Sequence, residues 1–188
     1  MNLGRLLLRT SLGAIFVSHG AQKLFGWFGG HGLEATSQGF EKMGMRPGRL
    51  NAVAASATEF GSGALMALGL ATPVAASGIT AVMLTAIHRV HFKNGFFSAN
   101  GGYEFNLAMI GGALALAETG PGAPSLDSAL GMSFHGPRWA VAALGAGALG
   151  AAGAHLYASS QSEPVTQPPE RQPAVAQQAP VEQPVMAS

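Results

Sequence analysis

Between Phe60 and Ile87 the chain carries no charged residue, and Pro73, in the turn Ala71-Thr72-Pro73, divides that stretch into two apolar helices. Few soluble folds can use two such helices side by side. Charged residues make up 10% of the whole chain, against about 25% in a typical soluble domain. So few charges cannot cover a soluble surface. A lipid-facing surface needs none, and lipid-exposed backbone is satisfied only in helices or a closed barrel. The net charge of +1 points to no nucleic-acid partner. The absence of cysteine excludes disulfides, thiol catalysis and Cys-ligated metal or iron–sulfur sites within this chain.

Five apolar segments follow from the pattern. The first runs from Leu3 to Phe25; Arg5 and Arg9 give it the look of a signal peptide, but the residues after Ser18 make a poor cleavage site, so a retained helix is expected. Residues 31–49 form a loop in which Leu33, Phe40 and Met43 recur at helical spacing, predicting a short interfacial helix. Further spans are expected over 50–70, 74–90, 103–119 and 139–157, the last uncharged and bounded by Trp139 and Tyr157. The expected fold is all-α, a transmembrane bundle of four core helices over residues 1–131, with an additional transmembrane helix over 132–158. Residues 159–188 hold six Pro and six Gln and predict a disordered tail.

The polar residues are patterned. At 100° per residue Arg5, Arg9, His19 and Lys23 share one stripe of the first helix, which predicts an inward face. On the fourth span Glu104, Ala108, Gly111, Ala115 and Glu118 share another, with small residues between two carboxylates. If the two helices pack antiparallel, Arg9 and Lys23 can pair with Glu118 and Glu104. Connectivity gathers His19, Lys23, Glu59, His88, His91 and Glu104 at one membrane side, the candidate polar cluster. Glu59 is the sharpest of them, since a carboxylate within the membrane is costly unless paired. It is either functional or a packing element held by His19 or Lys23. His88 and His91, at i and i+3, could join Glu59 or Glu104 around a metal, but the spacing is common and no metal is assigned. Lys23, Lys42, Arg46, Arg49, Arg89 and Lys93 fall on that side and Arg5, Arg9 and Arg138 on the other, which predicts the first side in the cytoplasm.

Several stretches together resemble the DoxX family of small membrane proteins, over roughly residues 3–131. They are His19-Gly20-Ala21-Gln22-Lys23-Leu24-Phe25-Gly26, Glu59-Phe60-Gly61-Ser62-Gly63, Leu68-Gly69-Leu70-Ala71-Thr72-Pro73, His88-Arg89-Val90-His91-Phe92-Lys93-Asn94-Gly95-Phe96-Phe97, Gly101-Gly102-Tyr103-Glu104-Phe105-Asn106, Gly120-Pro121-Gly122 and Ser125-Leu126-Asp127. The fifth helix and the tail exceed the family's usual four-helix length.

The resemblance implies a cell-membrane, multi-pass protein, a subunit or anchor of an oxidoreductase or oxidative-stress complex, with a quinone as the implied cofactor. Its partners would be the lipid bilayer and soluble redox enzymes or other membrane subunits. The catalytic and cofactor-binding residues are not legible. With no haem or flavin motif, partners would supply most of the redox chemistry. The competing expectations are a small-molecule or proton carrier using Glu59 and the histidines as a relay, and a purely structural scaffold.

Overall fold

The computed structural model describes residues 2–161, and these form an all-α bundle. The helices are α1 (Leu3–Phe25), α2 (Gly32–Lys42), α3 (Gly48–Leu68), α4 (Thr72–Ala86), α5 (Glu104–Thr119), α6 (Leu126–Ala129) and α7 (Pro137–Ser160). As helices, the five expected segments coincide with α1, α3, α4, α5 and α7 to within a few residues, and the short helix expected in the loop 31–49 is α2. The expected disordered tail lies, from residue 162 on, outside the described residues; Ser159 and Ser160 close α7.

Among the described residues two helices are long and apolar enough to cross a membrane by length and composition, Thr72–Asn94 and Pro137–Ser160. The first is α4 extended through a wide π-type turn at Ile87–His91. The others fall short for stated reasons. α1 carries Arg5, Arg9 and Lys23, α3 carries Arg49 and Glu59, and α5, with 16 residues, is only about 24 Å long against a hydrocarbon core of about 30 Å.

The core is built from small and medium side chains, among them Leu12, Phe16, Met66, Ala75, Ile79, Ala113 and Leu116. Its tightest seam is between α1 and α3. A Cβ on Gly13 would lie 2.5 Å from Ala67 Cβ, one on Gly20 2.6 Å from the Phe60 nitrogen, and one on Gly63 2.6 Å from the Val17 nitrogen. Backbone therefore touches backbone there, as small residues permit in membrane bundles. α7 lies along α4 and touches α5, with Gly147 against Thr80. Leu149, Leu156, Val141 and Val74 point outward and are well exposed.

The end of the bundle formed by the start of α1, the α3–α4 turn and α6 is closed by two buried polar groups. Gly69, at φ +62°, ends α3 in the left-handed conformation that glycine tolerates best, and a side chain there would run into Ser125. Asp127 then caps α4 from a distance: its Oδ1 accepts from the Ala71 nitrogen at 2.8 Å and its Oδ2 from the Thr72 nitrogen and hydroxyl at 3.3 and 3.1 Å. A carboxylate at a helix N-terminus satisfies free N–H groups and complements the dipole. Arg9 donates to the carbonyl oxygens of Ala67 and Pro124.

Two expectations about helix faces are corrected here. On α5 the stripe of Ala108, Gly111, Ala115 and Glu118 is exposed, and the helix packs through Asn106, Ile110, Ala113, Leu116 and Ala117. Small residues allow close approach but do not compel it, and the larger apolar face wins the core. The charge pairing expected between α1 and α5 is absent: Arg9 is spent on backbone carbonyls, and Glu118 stands outside.

The α1–α3 seam makes a direct prediction. Gly63→Leu forces α1 and α3 apart and should cost at least about 1–3 kcal/mol, the usual scale of overpacking. Gly145→Leu, at a position where a Cβ meets nothing within 4 Å, should stay within about 0.5 kcal/mol of wild type. Thermal unfolding followed by circular dichroism in detergent measures both.

Candidate functional site

The seam between α1 and α3 sets Lys23, in the last turn of α1, beside Glu59 in the middle of α3. The Lys23 Nζ lies 2.5 Å from Glu59 Oε1. The Glu59 side chain is 5% exposed and that of Lys23 33%, so the pair is lopsided: the carboxylate is desolvated and the ammonium reaches the edge. Glu59 Oε2 is buried with no hydrogen-bond partner among the described residues. An unsatisfied buried oxygen of a charged group is costly.

The pair lines a cavity of about 470 Å³. α3 contributes Asn51, Ala54, Ala55 and Thr58 to its wall; α4 and its extension contribute Ala81, Val82, Thr85, Ala86, Arg89, Val90 and His91. Phe40, Met43 and Met45 close it from α2 and the loop after it, and Gly150 and Ala154 from α7. The volume falls within the range of roughly 300–1,000 Å³ of small-molecule sites, and the wall follows their usual form, mostly apolar with a few polar groups.

Arg89 and His91 are held by specific bonds. The Arg89 Nε donates to Nδ1 of His155 on α7 at 2.9 Å, and one Nη approaches the Met43 carbonyl at 3.4 Å. His91 Nδ1 lies 2.7 Å from the carbonyl oxygen of Gly101, so that nitrogen carries a proton and donates. The His88 ring packs edge-on against His155, 4.5 Å between centroids.

Of the six residues of the candidate cluster, Lys23, Glu59 and His91 come together at the cavity. The other three do not. His19 sits at the edge of the α1 stripe and is exposed. His88 is exposed and turned to α7, because the wide turn at Ile87–His91 breaks the i, i+3 relation that a regular helix would give it with His91. Glu104 is occupied in the loop before α5, its Oε1 accepting from the Ser98 nitrogen at 2.8 Å. Among the described residues no three His, Asp or Glu side chains are placed to hold one metal ion.

Sequence reasoning left out Asn51, Arg89 and His155. Arg89 had a usable signal: Val82, Thr85, Ala86 and Arg89 recur at helical spacing and share the cavity face. His155 had none, since nothing local ties α7 to the end of α4.

The Lys23–Glu59 pair makes a second prediction. Glu59→Gln should lower stability by about 1–3 kcal/mol, less than the roughly 3–5 kcal/mol of a fully buried pair, because a third of Lys23 is exposed. Lys23→Met in the Glu59→Gln background should cost at least about 1 kcal/mol less than in wild type. Denaturant or thermal unfolding of the four proteins closes the cycle; additive effects would show that the two groups act independently.

The DoxX family model matches residues 4–92, ending at Phe92, short of the 3–131 over which the sequence resemblance extends. No curated protein and no solved structure matches the chain. The matched segment carries α1, α2, α3 and α4 with its wide turn, and hence Lys23, Glu59, Arg89 and His91; over these residues the chain is similar to the DoxX family of membrane proteins.

Proposed function

We propose that this chain is a multi-pass cell-membrane subunit or anchor of an oxidoreductase or oxidative-stress complex, and that its cavity holds a small amphipathic molecule of the membrane. The observation that carries the second half is the cavity itself: an apolar wall that brings Glu59 together with a lysine, an asparagine, an arginine and a histidine. Polar groups left incompletely satisfied in an apolar chamber are what a ligand completes. The first half rests on the DoxX match and on the family resemblance, which also implies the quinone link.

The chain's own residues can bind and orient such a molecule. Lys23 and Arg89 supply donors, Asn51 a polar amide, and Phe40, Met43, Met45 and Val82 an apolar bed. Electron transfer belongs to the partners, because this chain has no cysteine and no haem or flavin motif. The second reading is a proton or small-molecule carrier. The Lys23–Glu59 pair favours it, since a carboxylate and an ammonium in direct contact on the wall of a cavity are the groups a relay would need.

Extraction in a mild detergent separates the two. On the first reading an oxidoreductase co-purifies, and Glu59→Gln leaves the assembly intact while lowering the quinone-dependent activity of the complex about 10-fold or more, the scale of one charge-assisted hydrogen bond. A lone bundle that carries protons into liposomes in response to substrate, and loses that flux in Glu59→Gln, would instead establish the carrier.

A further inference from the structure

On the reading of the cavity as a ligand site, we infer that its preferred occupant carries an anionic head on an apolar body, and that Arg89 receives the head. The charges of the wall decide this. Lys23 and Arg89 are its cations and Glu59 its one carboxylate. Glu59 is neutralised by Lys23 at 2.5 Å. Arg89 has no carboxylate within 4.0 Å among the described residues, and its fixed contacts bring no negative charge: an imidazole nitrogen at 2.9 Å and a carbonyl at 3.4 Å. The second distance is long for a hydrogen bond from a charged donor.

The cavity thus holds one guanidinium charge that the protein does not balance. In an apolar wall such a charge calls for a counter-ion. The planar fork of a guanidinium fits a carboxylate or phosphate through two parallel bonds, whereas a neutral carbonyl uses only part of it. The hold of His155 on Nε fixes one edge of the fork and leaves the other for a ligand. Met43, Met45, Phe40 and Val82 then receive the apolar body. A free carboxylic amphiphile and an anionic phospholipid of the leaflet share this head-group chemistry.

Titration calorimetry of the full chain in uncharged maltoside micelles tests the inference, with laurate, 1-dodecanol and decylubiquinone as probes. Laurate is expected to bind at least about 10-fold more tightly than dodecanol, the scale of one charge-assisted hydrogen bond. Arg89→Gln should erase that preference, Arg89→Lys should keep part of it, and Arg138→Gln, on the exposed start of α7, should leave it unchanged. Equal binding of laurate and dodecanol to wild type overturns the inference, as does undiminished laurate binding to Arg89→Gln. Should that variant fail to fold, the wild-type comparison and Arg89→Lys still decide. Decylubiquinone binding more tightly than laurate also overturns the anionic head but leaves the cavity as a ligand site; failure of all three probes to bind overturns the reading of the cavity itself. Repeating the laurate titration in phosphatidylcholine nanodiscs with and without phosphatidylglycerol assigns the source. Competition by phosphatidylglycerol marks the phospholipid and its absence the free acid, and either result supports the anionic head.

Discussion

The close contact of α1 with α3 is the constraint on which the polar end of the molecule depends. Gly13, Gly20 and Gly63 remove the side chains that would hold the two helices apart. Once the axes are that close, a lysine in the last turn of α1 can reach a carboxylate lodged in the middle of α3. Without the seam, Glu59 would lose the cation that stabilises its charge in an apolar surrounding. The pair is therefore a consequence of backbone packing before it is a feature of any site. The rest of the cavity is assembled around it by α4 and α7.

The two ends of the bundle hold different sets of buried polar groups. At one end Asp127 accepts three hydrogen bonds from Ala71 and Thr72 at the start of α4, and Arg9 donates to two carbonyl oxygens while its Nε finds no partner among the described residues. These groups close the turn between α3 and α4. At the other end Glu59 and Arg89 line a chamber; among the described residues Glu59 Oε2 is buried without a partner and Arg89 has no carboxylate within 4.0 Å. Satisfied polar groups rigidify a bundle, whereas unsatisfied ones store free energy that a ligand can release.

Much of the helical plan was legible because helices in lipid are written in composition: uncharged runs, glycine and proline at turns, aromatics at the ends. Glu59 was legible for the same reason, as the one acid within such a run. What could not be read was which side of each helix meets which neighbour. The small-residue stripe of α5 looked like a packing face and is an outer one, because Ile110 and Leu116 bury more apolar area on the opposite side. His19 shares a stripe with Lys23 on a helical wheel, yet it lies at that stripe's edge, where a few tens of degrees separate a buried group from an exposed one. His88 and His91 were expected together, but a single widened turn parts them. Periodicity assumes a regular helix, and the residues around a chamber sit where regularity ends.

The contribution of α7 shapes what kind of site this can be. The family match ends at Phe92, while the cavity takes part of its wall from Gly150 and Ala154, and Arg89 takes its fixed orientation from His155. The matched segment therefore supplies the charges, and the last helix sets how one of them is presented. For His155 to accept from Arg89 through Nδ1 it must be neutral, with its proton on Nε2, and that nitrogen is buried without a partner. Such an arrangement is uncomfortable in isolation. It persists because the imidazole is wedged between the guanidinium and the ring of His88, on a helix whose packing against α4 is set further along by Gly147 and Thr80. A change confined to α7 can thus alter the aim of Arg89 without touching the Lys23–Glu59 pair, which separates the part of the chamber that holds its charge from the part that decides what fits it.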